Sequence, residues 1–150
     1  MTMSAHAFLD SNVLIYSAFK GSPHFRAATA LRDRALAGVL QLYISPQVLA
    51  EFFAVITDPR RVSESHTPHE ALAEIEKYCS TQGFVILPQS VAILPKWIEL
   101  CRHHPVTGQG IFDLQIVATM LVHNIRTIYT FNKADFQKFD EIKVIVPSVE

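Results

Sequence analysis

The chain has 150 residues, 49% of them hydrophobic, with 13 basic against 14 acidic side chains and a formal charge of −1. That length suits one ordinary domain, residues 1–150, with a substantial core; near-neutrality decides nothing about nucleic acid, which depends on whether cations collect on one face. Apolar runs reach about ten residues, short of the roughly 18 a membrane helix needs, and Met1-Thr2-Met3-Ser4-Ala5-His6 lacks a leader's basic and then apolar pattern, so the expectation is a cytoplasmic protein without membrane contact.

In chain order, Ala7-Phe8-Leu9 reads as a short buried strand and Val13-Leu14-Ile15-Tyr16 as the apolar start of a helix, with Asp10 at the junction. Ser22-Pro23 reads as a cap followed by proline at the first helical position, opening a helix to about Leu40 that Gly38 helps to end. Leu40 to Ile44 is a second strand, and Ser45-Pro46 repeats the device for a helix carrying Glu51. Thr67-Pro68-His69-Glu70 has the form of a capping box and starts a helix to about Ser80, closed by Gly83. A strand over Phe84-Val85-Ile86-Leu87, a helix from Val91 to Cys101 with Trp97 in the core, and a helix from Ile111 to His123 with Asp113 in its first turn follow. Thr127-Ile128-Tyr129-Thr130 and Lys143-Val144-Ile145-Val146 are the last strands. Alternating strands and helices imply an α/β domain with a central, mainly parallel sheet flanked by helices. Cys79 and Cys101 have no C-x-x-C spacing and lie among apolar neighbours, so both are expected to be buried thiols.

Three carboxylates sit in apolar frames: Asp10 after Ala7-Phe8-Leu9, Glu51 between Val48-Leu49-Ala50 and Phe52-Phe53-Ala54, and Asp113 within Gly110-Ile111-Phe112-Asp113-Leu114-Gln115. A buried acid stripped of its counter-charge costs roughly 3–5 kcal/mol, so repeated burial points to acids gathered around a divalent cation. Sites in parallel sheets form at the carboxyl ends of strands, where Asp10, Glu51 and Phe131-Asn132-Lys133-Ala134-Asp135 would all fall. Taken singly, Asp10 could merely cap a helix and Asp113 merely favour a helix N-terminus. Glu51 is harder to explain structurally.

With these residues in order, the chain resembles the PIN-domain nucleases, and among them the VapC-type toxins of toxin–antitoxin pairs. Phe8-Leu9-Asp10-Ser11-Asn12 is similar to the family's opening strand, Ser45 to Phe52 to its second-acid segment, Phe112 to Thr119 to its third-acid helix, and Thr130 to Phe136 to its closing motif. The resemblance implies an RNA phosphodiesterase using Mg²⁺ or Mn²⁺, with Asp10 and Asp113 as direct ligands and Glu51 on a second ion or on the attacking water. Asn132 would stand at the family's fourth position as a metal or phosphate partner, with Asp135 either compensating for its missing charge or only starting a turn. Ser11 and Asn12 would support Asp10. The resemblance also implies a homodimer, an RNA substrate and a cognate antitoxin.

Two other readings remain open: a PIN nuclease of RNA maturation without an antitoxin, and a degenerate PIN fold that only binds RNA or protein. An aspartyl-nucleophile phosphatase is disfavoured, because Asp10-Ser11-Asn12 lacks a second aspartate two residues on. A candidate collection of basic residues comprises Arg26, Arg32 and Arg34 in one expected helix, Arg60 and Arg61 after the Glu51 helix, and Arg102 and Lys133 near the later acids, each most simply a solvated charge. His66, His69, His103 and His104 lie at helix ends, where histidine is ordinary, and Thr107-Gly108-Gln109-Gly110 is a loop without the lysine of a phosphate-binding loop.

Overall fold

The structure, a computed structural model, describes residues 5–149. Along the chain these form β1 (Ala5–Leu9), α1 (Ser11–Ser17), α2 (Phe25–Leu36), β2 (Leu40–Ile44), α3 (Pro46–Ile56), α4 (Pro68–Ser80), β3 (Phe84–Ile86), α5 (Ile93–His103), α6 (Gly110–Val122), β4 (Thr127–Tyr129), α7 (Lys133–Phe136) and β5 (Lys143–Ile145). The four residues preceding β1, on which most of the leader expectation rests, lie outside the described residues. No described helix is long and apolar enough to cross a membrane.

Among the described residues the five strands make one sheet in the order β3-β2-β1-β4-β5, every neighbouring pair parallel. The central strand β1 pairs Ala7 with Leu42 of β2 and Phe8 with both Tyr43 of β2 and Ile128 of β4. Successive strands leave β1 in opposite directions, so β1 is the topological switch point, and the crevice opens beyond its carboxyl end. Because α/β crossovers cover both faces, inner strands read as continuous apolar runs. Phe8, Leu9, Leu42, Ile44 and Ile128 are all buried accordingly. Against them pack Val48, Phe52 and Ile56 of α3 and Leu114, Val117 and Met120 of α6.

The helix starts bear out much of the sequence reading. Ser45 Oγ accepts from Val48 N, with Pro46 at the first helical position, and Thr67 and Glu70 form a reciprocal capping box. Ser22-Pro23 is not the start of α2: Ser22 Oγ accepts from His24 N in a turn, and the helix begins at Phe25 and ends at Leu36. His24 instead lies flat on Phe131 at 4.3 Å between ring centres. Gly38 does end the segment, with a φ of +76° that favours glycine. Trp97 packs against the core but stays partly exposed.

Two further expectations need correction. Cys79 is exposed and Cys101 only partly buried: α4 turns Ala71 and Tyr78 to the core, and the position after Tyr78 points about 100° away around the helix. Gly83 does not act as a helix terminator, since α4 already ends at Ser80 with Thr81 as its cap. Its role is close approach, because a Cβ there would come within 1.9 Å of the Ala35 carbonyl oxygen of α2.

Gly83→Ala therefore forces β3 away from α2 and is expected to lower stability by roughly 1–3 kcal/mol in urea unfolding. Gly21→Ala, where nothing lies within 4 Å of the added carbon, is expected to be neutral or slightly stabilising.

Candidate active site

Asp10 is both a helix cap and the floor of a cleft. Its backbone N–H extends the sheet by donating to the Tyr129 carbonyl at 3.1 Å, after which the chain turns into α1. The side chain, 6% exposed, is held by three donors. Ser11 N–H reaches Oδ1 at 2.8 Å, while Asn12 Nδ2 at 3.1 Å and Thr130 Oγ1 at 2.8 Å reach Oδ2. Thr130 is wholly buried at the end of β4; its hydroxyl also accepts from Asn12 Nδ2 and from the Asn132 N–H. Asn12 in turn accepts from the Phe131 N–H through Oδ1 at 3.2 Å. One hydroxyl and one amide thus lock the loop after β4 to the loop after β1. The expected support of Asp10 by Ser11 and Asn12 is present in geometry.

Glu51 is fixed from two sides. Ser11 Oγ donates to Oε2 at 3.0 Å and Gln47 Nε2, one turn earlier on α3, to Oε1 at 3.2 Å. Gln47 also donates to the Phe112 carbonyl at 3.1 Å and accepts from Gln115 Nε2 at 2.9 Å, which ties the Glu51 helix to the Asp113 helix. Asp113 stands half-buried in the first turn of α6.

Asp10, Glu51, Asp113, Asn132 and Asp135 all line one cleft of about 500 Å³ beyond the carboxyl end of β1. The four residues assigned to the site from sequence are therefore brought together, and Asp135 joins them. Thr130, Gln47 and Gln115 were missed as participants; Gln47 had a readable signal, lying four residues before Glu51 on the same helix face. Of the basic residues singled out, Arg61 lines this cleft. Arg32 and Arg60 pair instead with Asp33 and Asp58, and His104 binds Glu141 at 3.0 Å.

The electrostatics are those of like charges confined together. Burial pushes the Asp10 carboxyl up to about 6, against the lowering effect of Thr130 and Ser11, with the Glu51 and Asp135 charges adding to the rise. Asp113 is also raised to about 6, first by desolvation and then by repulsion from Asp135, Asp10 and Glu51. Asp10 and Asp113 thus both feel other acids of the cleft. The donor set fits a hard divalent cation: every candidate is an oxygen, and the excess negative charge has one lining cation, Arg61, to offset it. Among the described residues no three acidic, histidine or cysteine side chains are drawn around a single point. Mg²⁺ does not require that, since it commonly takes one or two carboxylates and completes its shell with water and phosphate.

A model of the PIN domain family matches residues 7–142, and the chain belongs to that family. No curated protein sequence matches it. Among solved structures it is similar to VapBC2 from Rickettsia felis bound to a DNA fragment from its promoter, at 18% identity and a TM-score of 0.64 over 95% of this chain and 99% of that one. It is also similar to Mycobacterium tuberculosis VapC20, a Sarcin-Ricin loop cleaving toxin, at 17% identity and a TM-score of 0.62 over 89% and 95%. A toxin–antitoxin complex from Klebsiella pneumoniae matches at 22% identity and a TM-score of 0.59 over 95% and 98%. At these identities the likeness is one of fold.

Two predictions follow from the geometry. Because Asp113 keeps its proton to higher pH in the fold than in the unfolded chain, the stability that proton confers is present below pH 3.8 and lost as the pH rises through about 6. In EDTA, Asp113→Asn should therefore melt above wild type at pH 7.5, with most of the advantage gone by pH 4.5; excess Mg²⁺ at pH 7.5 should raise the wild-type melting temperature more than the variant's. Thr130→Val leaves Asn12 and the Asn132 N–H each short of an acceptor, and should cost roughly 1–3 kcal/mol in denaturant unfolding.

Proposed function

We propose that this protein, as one PIN domain over residues 1–150, is a Mg²⁺- or Mn²⁺-dependent endoribonuclease serving as the toxin of a type II toxin–antitoxin pair. The observation that carries this reading is the convergence of Asp10, Glu51, Asp113 and Asn132 on one cleft at the switch point of a PIN-family sheet. Cleavage of the Sarcin-Ricin loop by the M. tuberculosis relative and the toxin–antitoxin nature of the K. pneumoniae complex support the substrate class and the partner.

Asp10 and Asp113 would hold the ion, with Glu51 beside them. An ion held there would supply Lewis-acid polarisation of the phosphodiester and a lowered water pKa, so that the water, having lost its proton, could displace the leaving ribose oxygen in line. The chain's own residues do the rest. The Ser11 backbone N–H, the Asn12 side-chain amide and the Thr130 hydroxyl each donate to Asp10, which fixes the direction in which its oxygens face the cleft. Gln47 and Ser11 hold Glu51 so that one carboxylate can orient a water. The Asn132 side chain, whose backbone is anchored on Thr130, can donate to a phosphate oxygen or offer its own amide oxygen to the ion. A cognate antitoxin would inactivate the protein by covering the acidic cleft, and a homodimer would set two clefts along one groove. The protein would act in the cytoplasm.

Purified protein incubated with total cellular RNA and Mg²⁺ or Mn²⁺ should give discrete fragments. EDTA should abolish them, and Asp113→Asn should reduce the rate by roughly 10²–10³-fold. Equal inactivity of wild type and variant across metal and protein concentrations would overturn the nuclease reading in favour of a binding module.

A further inference from the structure

A second cleft, about 730 Å³, opens between the turn that follows α1 and the loop joining α3 to α4. It adjoins the acidic cleft: Ile15, Tyr16, Arg61 and Val62 line both. Its chemistry is different. Tyr16, Phe19 and His66 give it aromatic walls, with Phe19 and His66 edge to face at 5.2 Å. Tyr16, which lines both clefts, also packs against Phe131 at 5.4 Å and His24 at 4.9 Å between ring centres. Lys20 contributes a cation. Of the acids along this cleft, Glu70 is engaged in the capping box with Thr67, and Glu64 is exposed to solvent.

Arg61 is the residue that joins the two clefts. Its neighbour Arg60 occupies both oxygens of Asp58, at 3.0 and 3.1 Å. The Arg61 guanidinium has no ion-pair partner among the described residues, although four carboxylates line the cleft it borders. A polyanion entering the acidic cleft meets strong repulsion, and a free guanidinium at the entrance supplies a two-pronged phosphate contact that offsets it. The second cleft's volume falls in the range of roughly 300–1,000 Å³ typical of small-ligand sites. Aromatic walls beside a cation match what an unpaired nucleotide presents: a base to stack and a phosphate to bind.

We propose that the second cleft is a nucleotide subsite for single-stranded RNA. It seats the base next to the phosphodiester held in the acidic cleft, with the base among Tyr16, Phe19 and His66 and the linking phosphate on Arg61. The assignment rests on the ribonuclease reading and adds to it a requirement: the residue flanking the cleaved bond is unpaired and its base contributes to binding.

The test uses an oligoribonucleotide spanning a cleavage site mapped on total RNA, together with versions in which each nucleotide within two of the cleaved bond is abasic. Wild type, Phe19→Leu, Arg61→Ala and Arg61→Lys are compared by kcat/KM. Removing the base at one flanking position should cost wild type about tenfold, and Phe19→Leu much less, so that the two losses do not multiply. Arg61→Ala should raise KM about tenfold on every substrate and reduce the salt dependence of KM by about one phosphate contact, with Arg61→Lys restoring part of both. Arg61 is exposed, so its replacement tests the subsite even if Phe19→Leu perturbs packing. If wild type cleaves but the losses multiply at every position and Arg61→Ala leaves KM and its salt dependence unchanged, the subsite is wrong while the nuclease reading stands, and the cleft is open to a protein segment instead. Absence of any wild-type cleavage overturns both.

Discussion

The Asp10 carboxylate is almost removed from solvent, yet it stands at the end of the central strand where any charge must be matched. Three donors meet it there, and each comes from a residue that has another structural duty: Ser11 begins α1, Asn12 holds the Phe131 N–H, and Thr130, the residue after β4, accepts from the Asn132 N–H. A charged acceptor with several donors is worth more than neutral hydrogen bonds, and leaving one of those donors unpaired in the interior costs its full desolvation. The junction of β1 and β4 is thus organised around one side chain. Both loops that carry cleft residues take their positions from it.

Around that fixed point the fold concentrates negative charge that it does not neutralise. Glu51 receives two donors but no cation, and Asp113 receives desolvation and the fields of three other acids. Like charges confined in this way disfavour full ionisation of Asp113 in the fold, which is why its carboxyl is raised to about 6. The Gln47–Gln115 and Gln47–Phe112 hydrogen bonds tie α3 to α6, the helices that carry Glu51 and Asp113. Electrostatic tension and mechanical restraint act on the same pair of helices.

The element order and most helix starts were legible because they are local. A Ser-Pro or Thr-Pro start with an apolar face satisfies its own first N–H groups within four residues, as at Ser45 and Thr67. The same local device failed at Ser22-Pro23 because His24 makes a long-range stack on Phe131, which pairwise sequence spacing does not encode. Cys79 was misjudged for a related reason: neighbouring apolar letters do not say which side of an amphipathic helix faces the core, and Tyr78 takes the buried side. At Gly83 the letter marked a real constraint, but its source lay in Ala35 on another helix.

The sequence by itself determined the α/β alternation and singled out Asp10, Glu51 and Asp113, because apolar periodicity and acids in apolar frames are properties of short segments; the family, and Asn132 as a fourth candidate, came from the resemblance of its motifs to those of the PIN-domain nucleases. Tertiary structure alone decided that these residues share a cleft with Asp135, that Thr130 holds Asp10, that Gln115 ties the helix of Gln47 and Glu51 to the helix of Asp113, and that Arg61 opens onto an aromatic second cleft. Those contacts join residues tens of positions apart, and their existence depends on the parallel strand order that places the ends of β1, β2 and β4 on one edge. Strand order is fixed by the packing of the whole domain rather than by any segment's own preference.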